Sequence, residues 1–330
     1  MKAAIFRRYG PPDVVQIEDV EKCVPKDDEV LIKVRAASVN PLDWHGMRGK
    51  PYIMRMMGGA MREPKDTRLG FDVAGQVEAV GSNVTRFKPG DDVFGGTLGL
   101  GAFAEYSCAP ESALVIKPDN VTFEQAASAP VAAFTALQAL RDKGQLQPGQ
   151  KVLINGAAGG VGTFAVQIAK SLGADVTGVC SSRNVDMVRS LGADQVIDYT
   201  REDFTRSSQR YDLLLDCVGN HSLSAFRRVL NPKGFCIIVA GPDGRWLGPL
   251  SRFITALALS PFVSQKLIPF IARPNKEDLT IISELMATGK VKPVIDKSYS
   301  LREVPEAIRY LEVGHARGKV VISLEHNNKP

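Results

Sequence analysis

Residues 149–162 read Gly-Gln-Lys-Val-Leu-Ile-Asn-Gly-Ala-Ala-Gly-Gly-Val-Gly, an apolar run that breaks into a glycine-rich turn and continues into a helical apolar pattern. These textures predict a buried strand, a tight turn and a helix in succession. Positions without side chains let a backbone approach a diphosphate, and the N–H groups opening the next helix meet its charge. Gly159 and Gly162 hold the second and third places of the dinucleotide fingerprint, with Ala157 at the first. A ligand-free strand-to-helix turn would share this local pattern; the strands and helices that continue beyond it favour the nucleotide. Ala157, Ala158, Gly159, Gly160, Val161 and Gly162 are therefore the candidate phosphate cradle.

The surrounding chain alternates in texture. Helices are predicted at 123–141, 161–172, 184–191 and 221–229, and strands at 151–154, 175–180, 195–198, 213–217 and 234–240. That order predicts an α/β fold, a doubly wound parallel sheet covered on both faces. Before it, short strands at 2–6, 29–37, 72–80, 92–94 and 102–108, broken at Pro89-Gly90 and Gly95-Gly96, predict an antiparallel, barrel-like unit. After Pro242 the alternation stops, and residues 246–272 form an apolar segment holding Pro249, Pro261, Pro269, Arg252 and Lys266, with Arg273 just after it. It reads as a packed helical segment or subunit contact, or as the wall of a substrate pocket. Helices at 278–288 and 304–313 and a strand at 319–324 are too few to enclose a core, so they are expected to pack on the N-terminal unit. The expected divisions are 1–121, 122–265 and 266–330.

A length of 330 residues, 44% hydrophobic and 23% charged, suits two globular cores. The net charge of +5 is scattered without a basic run, which suits an anionic cofactor and does not argue for nucleic acid, so no nucleic-acid partner is expected. Cys23, Cys108, Cys180, Cys217 and Cys236 are odd in number and far apart, so neither a disulfide framework nor a CxxC cluster can be drawn. A reducing, cytoplasmic location is the expectation. Residues 1–9 lack the features of a signal peptide, and the sequence holds no apolar stretch long enough for a spanning helix, so a soluble protein is expected.

At the end of the second parallel strand, where an acid commonly meets a ribose 2′-hydroxyl, stand Cys180-Ser181-Ser182-Arg183. Hydroxyls and a guanidinium can hold a 2′-phosphate, so NADPH is favoured over NADH. Arg183 also reads as an ordinary solvated cation at a helix start. Ligands sit outside the carboxyl ends of parallel strands, which adds Gly219, Asn220, Ala240 and Gly241 to the cofactor residues.

Gly149, Gln150, Leu153, Ala157, Ala158, Gly159, Gly160, Gly162, Gln167 and Lys170 follow in order the signature of one family. Asn40-Pro41-Leu42-Asp43, Gly70 to Gly75, Pro89-Gly90-Asp91, Gly101 to Tyr106 and Gly318-Lys319-Val320-Val321 extend the likeness along the chain. The sequence resembles the medium-chain dehydrogenase/reductase superfamily, within it the zinc-free quinone oxidoreductase and zeta-crystallin branch. The resemblance implies a GroES-like catalytic domain built from both chain ends, a Rossmann domain between them, an active site in the cleft, and a homodimer paired through the Rossmann sheet edge. Where the zinc-using branch has a Cys before Asp and a Gly-His-Glu, this chain has Asn40 before Asp43 and Gly70-Phe71-Asp72, and His45, His221, His315 and His326 have no partner at ligand spacing. No metal is expected.

Without a Lewis acid, activated acceptors such as quinones and α,β-unsaturated carbonyls are the expected hydride acceptors. A zinc-free reductase of aldehydes or other carbonyls, and a low-turnover NADPH-binding scaffold or sensor, are the competing readings. By the resemblance Asn40 lies beside the nicotinamide ribose, where its amide can serve ribose or substrate; turn chemistry before Pro41 explains it equally. Tyr52 matches loosely a tyrosine over the substrate pocket, in a loop whose Met54, Met56, Met57 and Met61 suit an apolar lid or simple surface packing. Asp43 is expected to orient backbone. Tyr199 lies along the adenosine phosphate or is an edge tyrosine, and Arg317 and Lys319 reach cofactor phosphates or are solvated.

Overall fold

A computed structural model describes residues 1–52, 55, 63–64, 67–97, 101–241 and 248–324. The methionine-rich stretch at 54–61 and the start of the 246–272 segment lie outside or mostly outside these residues. Two compact units are present: Met1–Val131 with Pro274–Gly289 and Pro293–Pro330, and Ala132–Arg273 with Lys290–Lys292.

The first unit begins with β1 (Lys2–Phe6) antiparallel to β2 (Val15–Asp19). There follow β3 (Glu29–Val39), α1 (Pro41–Arg48), β4 (Asp72–Val80), β5 (Asp92–Gly96), β6 (Tyr106–Pro110), β7 (Leu114–Ile116) and α2 (Phe123–Ala127). β3 is the hub, pairing antiparallel with both β4 and β6. Val30, Ile32 and Val34 face the core while Lys33 stays exposed, the period-two pattern of a strand with one covered face. The single helix expected over 123–141 is broken, because Pro130 removes an N–H and clashes with the preceding turn. Thr122 caps α2, its hydroxyl accepting from the Gln125 N–H at 3.2 Å while Gln125 accepts from the Thr122 N–H at 3.0 Å. Since α2 packs on β3 and β4, the unit extends to Val131, beyond the division expected at 121.

The second unit contains α3 (Pro130–Gln138) from Ala132 onward, β8 (Lys151–Asn155), α4 (Gly160–Ser171), β9 (Asp175–Cys180), α5 (Val185–Ser190) and β10 (Gln195–Asp198). It continues with β11 (Tyr211–Asp216), α6 (Leu223–Arg228), β12 (Leu230–Ile238), α7 (Pro249–Leu259) and β13 (Lys266–Pro269). Six strands pair in the order β10-β9-β8-β11-β12-β13, every pair parallel. This is the doubly wound Rossmann order. Val152, Leu153 and Ile154 are all fully buried, as a central strand covered on both faces requires. The alternation does not stop after Pro242: α7 and β13 complete a sixth parallel strand, with Phe235 opposite Lys266 and Ile238 opposite Pro269. A four-residue strand ending in proline carries too little pattern to be read locally, and the unit therefore runs to Arg273 rather than 265.

The chain returns to the first unit as α8 (Lys276–Ala287), β14 (Ile295–Ser300), α9 (Val304–Glu312) and β15 (Lys319–Ser323). β15 sits between β14 and β3, antiparallel to β3 with Val320 opposite Val39. Val320, Ile322, Val304 and Ile308 join Met47, Val73 and Phe103 in one core. Arg48 and Glu312 form a two-pronged ion pair between α1 and α9, one contact at 2.8 Å. Among the described residues no helix is long and apolar enough to cross a membrane.

Candidate functional site

In the second unit, β8 ends at Asn155 and the chain turns through Gly156 at φ +86° before α4 starts. The N–H groups of Gly156 and Ala157 donate to the Val179 carbonyl at 3.2 and 3.0 Å, and that of Gly159 to the Gly156 carbonyl at 3.0 Å. α4 then rises so close to the turn that a Cβ on Gly162 would lie 2.1 Å from the Gly156 oxygen and 2.7 Å from Ala157 Cα. Gly159 is different: a Cβ there would meet nothing nearer than that same oxygen, at 3.5 Å. No side chain caps α4, so its first N–H groups are left for an external acceptor.

The other predicted nucleotide residues lie at the carboxyl ends of neighbouring strands. Ser181, Ser182 and Arg183 follow β9, with Ser182 and Arg183 exposed; Tyr199 follows β10, half exposed. One feature of this rim was missed by sequence reasoning. Ser182 Oγ donates to Asp198 Oδ2 at 2.5 Å and meets Thr200 Oγ1 at 2.9 Å, so its hydroxyl is already engaged. The Ser182 and Thr200 hydroxyls hold the Asp198 carboxyl below its ordinary value, and Arg201 Nε lies 3.4 Å away.

Gly219 and Asn220 follow β11, where a buried network fixes their loop. Asp216 Oδ1 accepts from Asn155 Nδ2 at 2.9 Å and from the N–H groups of Val218 and Gly219 at 3.2 and 3.0 Å. Its Oδ2 accepts from Arg252 Nη2 at 2.9 Å, and Arg252 Nη1 donates to the His221 carbonyl at 2.7 Å. Asn155 Nδ2 also donates to Asn220 Oδ1 at 2.9 Å, joining the turn after β8 to the turn after β11. Gly219 approaches Gly241 so closely that a Cβ would lie 2.8 Å from its Cα; Ala240 precedes it on the same rim. Arg252 comes from α7, inside the segment read as packed helix or pocket wall. Its signal was one cation amid Leu250, Phe253, Ile254 and Leu257.

In the first unit, a second buried polar cluster forms around Asn40, Asp43, Asp72 and Lys319, all at or below 4% exposure. Asp72 Oδ2 accepts from Ser38 Oγ at 2.7 Å and Asn40 Nδ2 at 2.9 Å, with Lys319 Nζ at 3.5 Å; its Oδ1 accepts from the Val131 N–H at 3.0 Å. Lys319 Nζ donates to Asn40 Oδ1 at 2.6 Å, and Asn40 Nδ2 also donates to the Ser38 carbonyl at 3.3 Å. Both Asn40 amide hydrogens and its oxygen are thereby engaged inside the unit, whereas the sequence had offered them to ribose or substrate. Lys319 is likewise enclosed here rather than reaching toward phosphates, and burial lowers its pKa against the pull of Asp72 and Asp43.

Asp43 accepts from the Asn40 N–H at 2.7 Å and the Gly70 N–H at 3.0 Å, tying the start of α1 to the strand entering β4. Burial pushes its carboxyl up to about 7, against those two N–H donors. Tyr52 stands beside Arg55, whose guanidinium lies 5.0 Å from its ring and 4.0 Å from that of Tyr9. Arg317 is exposed, its N–H donating to Asp296 at 2.9 Å.

Residues 26–119 match the family model of an alcohol dehydrogenase GroES-like domain, and 191–322 that of a zinc-binding dehydrogenase. A chloroplast envelope quinone oxidoreductase homolog of Arabidopsis thaliana is 35% identical, over 98% of this chain and 98% of the relative. The chain belongs to the quinone oxidoreductase branch of the medium-chain dehydrogenase/reductase superfamily. Also similar are an NADPH-dependent alkenal/one oxidoreductase of Arabidopsis thaliana, 34% identical over 98% of this chain and 79% of the relative, and the solved quinone oxidoreductase of Coxiella burnetii. The latter superposes with a TM-score of 0.86 at 32% identity, covering 98% of this chain and 99% of the other.

The zinc implied by the matched model's name does not fit the residues at the corresponding place in this medium-chain dehydrogenase/reductase. Zinc takes thiolate, imidazole or carboxylate donors at about 2.0–2.3 Å. Here Asn40 offers a carboxamide, Phe71 a hydrocarbon ring, and Asp72 is already saturated by hydrogen bonds and an ammonium. Lys319 is the resident cation, and a divalent ion beside it would be repelled. Among the described residues no group of three or more His, Cys, Asp or Glu is placed to hold a metal.

Proposed function

We propose that this protein is an NADPH-dependent, zinc-independent reductase of quinones or α,β-unsaturated carbonyls. The observation that carries the reading is the Gly156–Gly162 turn, closed to a degree only glycine permits at Gly162, at the carboxyl ends of a six-stranded parallel sheet. The names of relatives, quinone oxidoreductase and NADPH-dependent alkenal/one oxidoreductase, support the substrate and cofactor.

NADPH, when bound, supplies a hydride. The residues of the chain bind and orient. The N–H groups opening α4 donate to the diphosphate oxygens, with the helix dipole favouring their charge. Ser181 and Arg183 take the 2′-phosphate; Ser182, bound to Asp198, shapes that rim rather than donating to it. Asp216 and Arg252 hold the Val218–Asn220 backbone in place beside the turn. In the first unit, Lys319, Asp72 and Asp43 fix the backbone around Asn40 and Gly70, a scaffold for an activated acceptor that needs positioning more than polarisation. A homodimer and a cytoplasmic location belong to the same reading; the free thiols of all five cysteines suit a reducing compartment.

The test is oxidation of NADPH and NADH followed with 1,4-quinones, short enones and simple aldehydes, before and after chelation. Turnover of quinones or enones with NADPH, unaffected by chelator, is expected. Turnover confined to aldehydes, or its loss on chelation, would overturn the reading.

A further inference from the structure

The sequence offers no cysteine pair, yet the fold makes one. Cys23 and Cys108 are separated by 85 residues, and their sulfurs stand 2.9 Å apart, with the Cys108 thiol donating to Cys23 Sγ. Cys108 lies on β6 opposite Leu31 of β3. Its neighbours Ser107 and Ala109 are buried while Tyr106, Cys108 and Pro110 are partly exposed, so Cys108 belongs to the outer face of the strand. Across that face runs the segment 20–28, which has no strand or helix of its own. Lys22 Nζ sits 3.7 Å over the Tyr106 ring and pairs with Glu78 at 2.7 Å, and Cys23 follows onto Cys108. Both thiols are half-buried, and Val24 beside them is 83% exposed, so the pair borders solvent.

We propose that Cys23 and Cys108 are a hydroperoxide-sensitive dithiol that closes reversibly to a disulfide, fastening the segment 20–28 to the outer face of β6. A disulfide needs the sulfurs at about 2.05 Å, so closure asks for a shift of roughly 0.9 Å between a strand and an irregular segment. Cys23 is the attacking sulfur: the hydrogen bond from Cys108 lowers its thiol to about 7, which maintains a thiolate fraction at neutral pH. The Cys108 thiol is raised by the same contact and by burial, and serves as the resolving partner. The Cys23 thiolate attacks one oxygen of a hydroperoxide; the O–O bond breaks, an alcohol leaves after taking a proton, and Cys23 becomes a sulfenic acid. The Cys108 sulfur then displaces the sulfenic oxygen, which leaves as water with the Cys108 proton. Two electrons pass from the two thiols to the peroxide, and one molecule of an added dithiol returns two electrons and two protons to the disulfide, itself becoming a disulfide. Burial raises the thiols of Cys180, Cys217 and Cys236, which makes them internal controls.

The experiment treats the reduced full-length protein with an equivalent of tert-butyl hydroperoxide, counts thiols after unfolding, and maps peptides without reductant. A fall from five thiols to three, a linked Cys23–Cys108 peptide, and recovery of all five with dithiothreitol are expected. Cys23→Ser and Cys108→Ser each abolish the link. Phenylarsine oxide, which bridges adjacent thiols, is expected to bind the untreated wild type at one equivalent and neither variant, a readout independent of oxidation. Retention of five thiols, links between chains in place of the internal one, or Cys23 oxidised to sulfinic acid with Cys108 still free would overturn the proposal.

Discussion

The two glycines of the nucleotide turn respond differently to the same methyl group. Gly162→Ala drives a Cβ to 2.1 Å from the Gly156 carbonyl oxygen and 2.7 Å from Ala157 Cα, both backbone atoms that cannot rotate away. Overpacking of this kind costs about 1–3 kcal/mol. At roughly 2–4 °C per kcal/mol for a unit of this size, the midpoint falls by about 5 °C, and the displaced turn binds NADPH poorly. Gly159→Ala meets nothing nearer than 3.5 Å at φ −83°, a conformation open to alanine, so its melting is expected to match or slightly exceed wild type. Its methyl nevertheless stands at the N-cap of α4, against the N–H groups proposed to hold the diphosphate. Holding the phosphate off one charge-assisted hydrogen bond forfeits about 1.5–3 kcal/mol, which is roughly 10- to 100-fold in affinity. The assay is a thermal melt of each variant without ligand alongside a fluorescence titration with NADPH. A stable Gly159→Ala protein with wild-type affinity would refute the placement of the diphosphate, and an unchanged melt for Gly162→Ala would refute the packing argument.

Arg252→Met leaves the Asp216 carboxylate buried without its cation and is expected to lower unfolding free energy by about 3–5 kcal/mol and to raise KM for NADPH more than it lowers kcat; urea melts and steady-state kinetics check this, with partial rescue by Arg252→Lys. Because the folded-state pKa of Asp43 lies at about 7, above its unfolded value, its protonated form favours the folded state; this contribution is present near pH 4 and is lost as pH rises to about 7. Wild type is therefore expected to exceed Asp43→Asn in stability by more at pH 5 than at pH 8, in denaturant melts at both pH values. Arg183→Asp is expected to shift preference toward NADH, measured as the ratio of kcat/KM for the two cofactors, since the carboxylate would repel a 2′-phosphate.

The glycine-rich strand-to-helix turn was legible because every part of its signal is local: strand, glycines and helix follow within fourteen residues, 149–162. The same holds for the strands at 175–180 and 195–198, whose predicted limits coincide with β9 and β10. β13 escaped because Lys-Leu-Ile-Pro is too short to show a period, and β14 because its half-exposed Ile-Asp-Lys-Ser-Tyr-Ser resembles a loop. The site's internal wiring was illegible for another reason. Lys319 meets Asn40 across 279 residues, Arg252 meets Asp216 across 36, and Cys23 meets Cys108 across 85, and such encounters leave no periodicity. A sequence displays the chemistry a residue carries, but the neighbour that occupies its hydrogen bonds is chosen by topology. Asn40 illustrates this: the resemblance offered its amide to ribose or substrate and the turn before Pro41 explained it equally, while the fold engages it with Ser38, Asp72 and Lys319 inside its own unit.

The insertion of β15 between β14 and β3 has a consequence for synthesis on the ribosome. All six strands of the Rossmann sheet have emerged by Pro269, so that unit can fold while translation continues. β3 pairs with β6 over Glu29–Lys33, but its Ala36–Val39 stretch must wait for Lys319–Ser323 before it is paired and the Asp72 carboxylate gains Lys319 as its counter-ion. Until then the nascent chain carries an unpaired strand edge at Ala36–Val39, a stretch that is closed only by the strand made almost three hundred residues later.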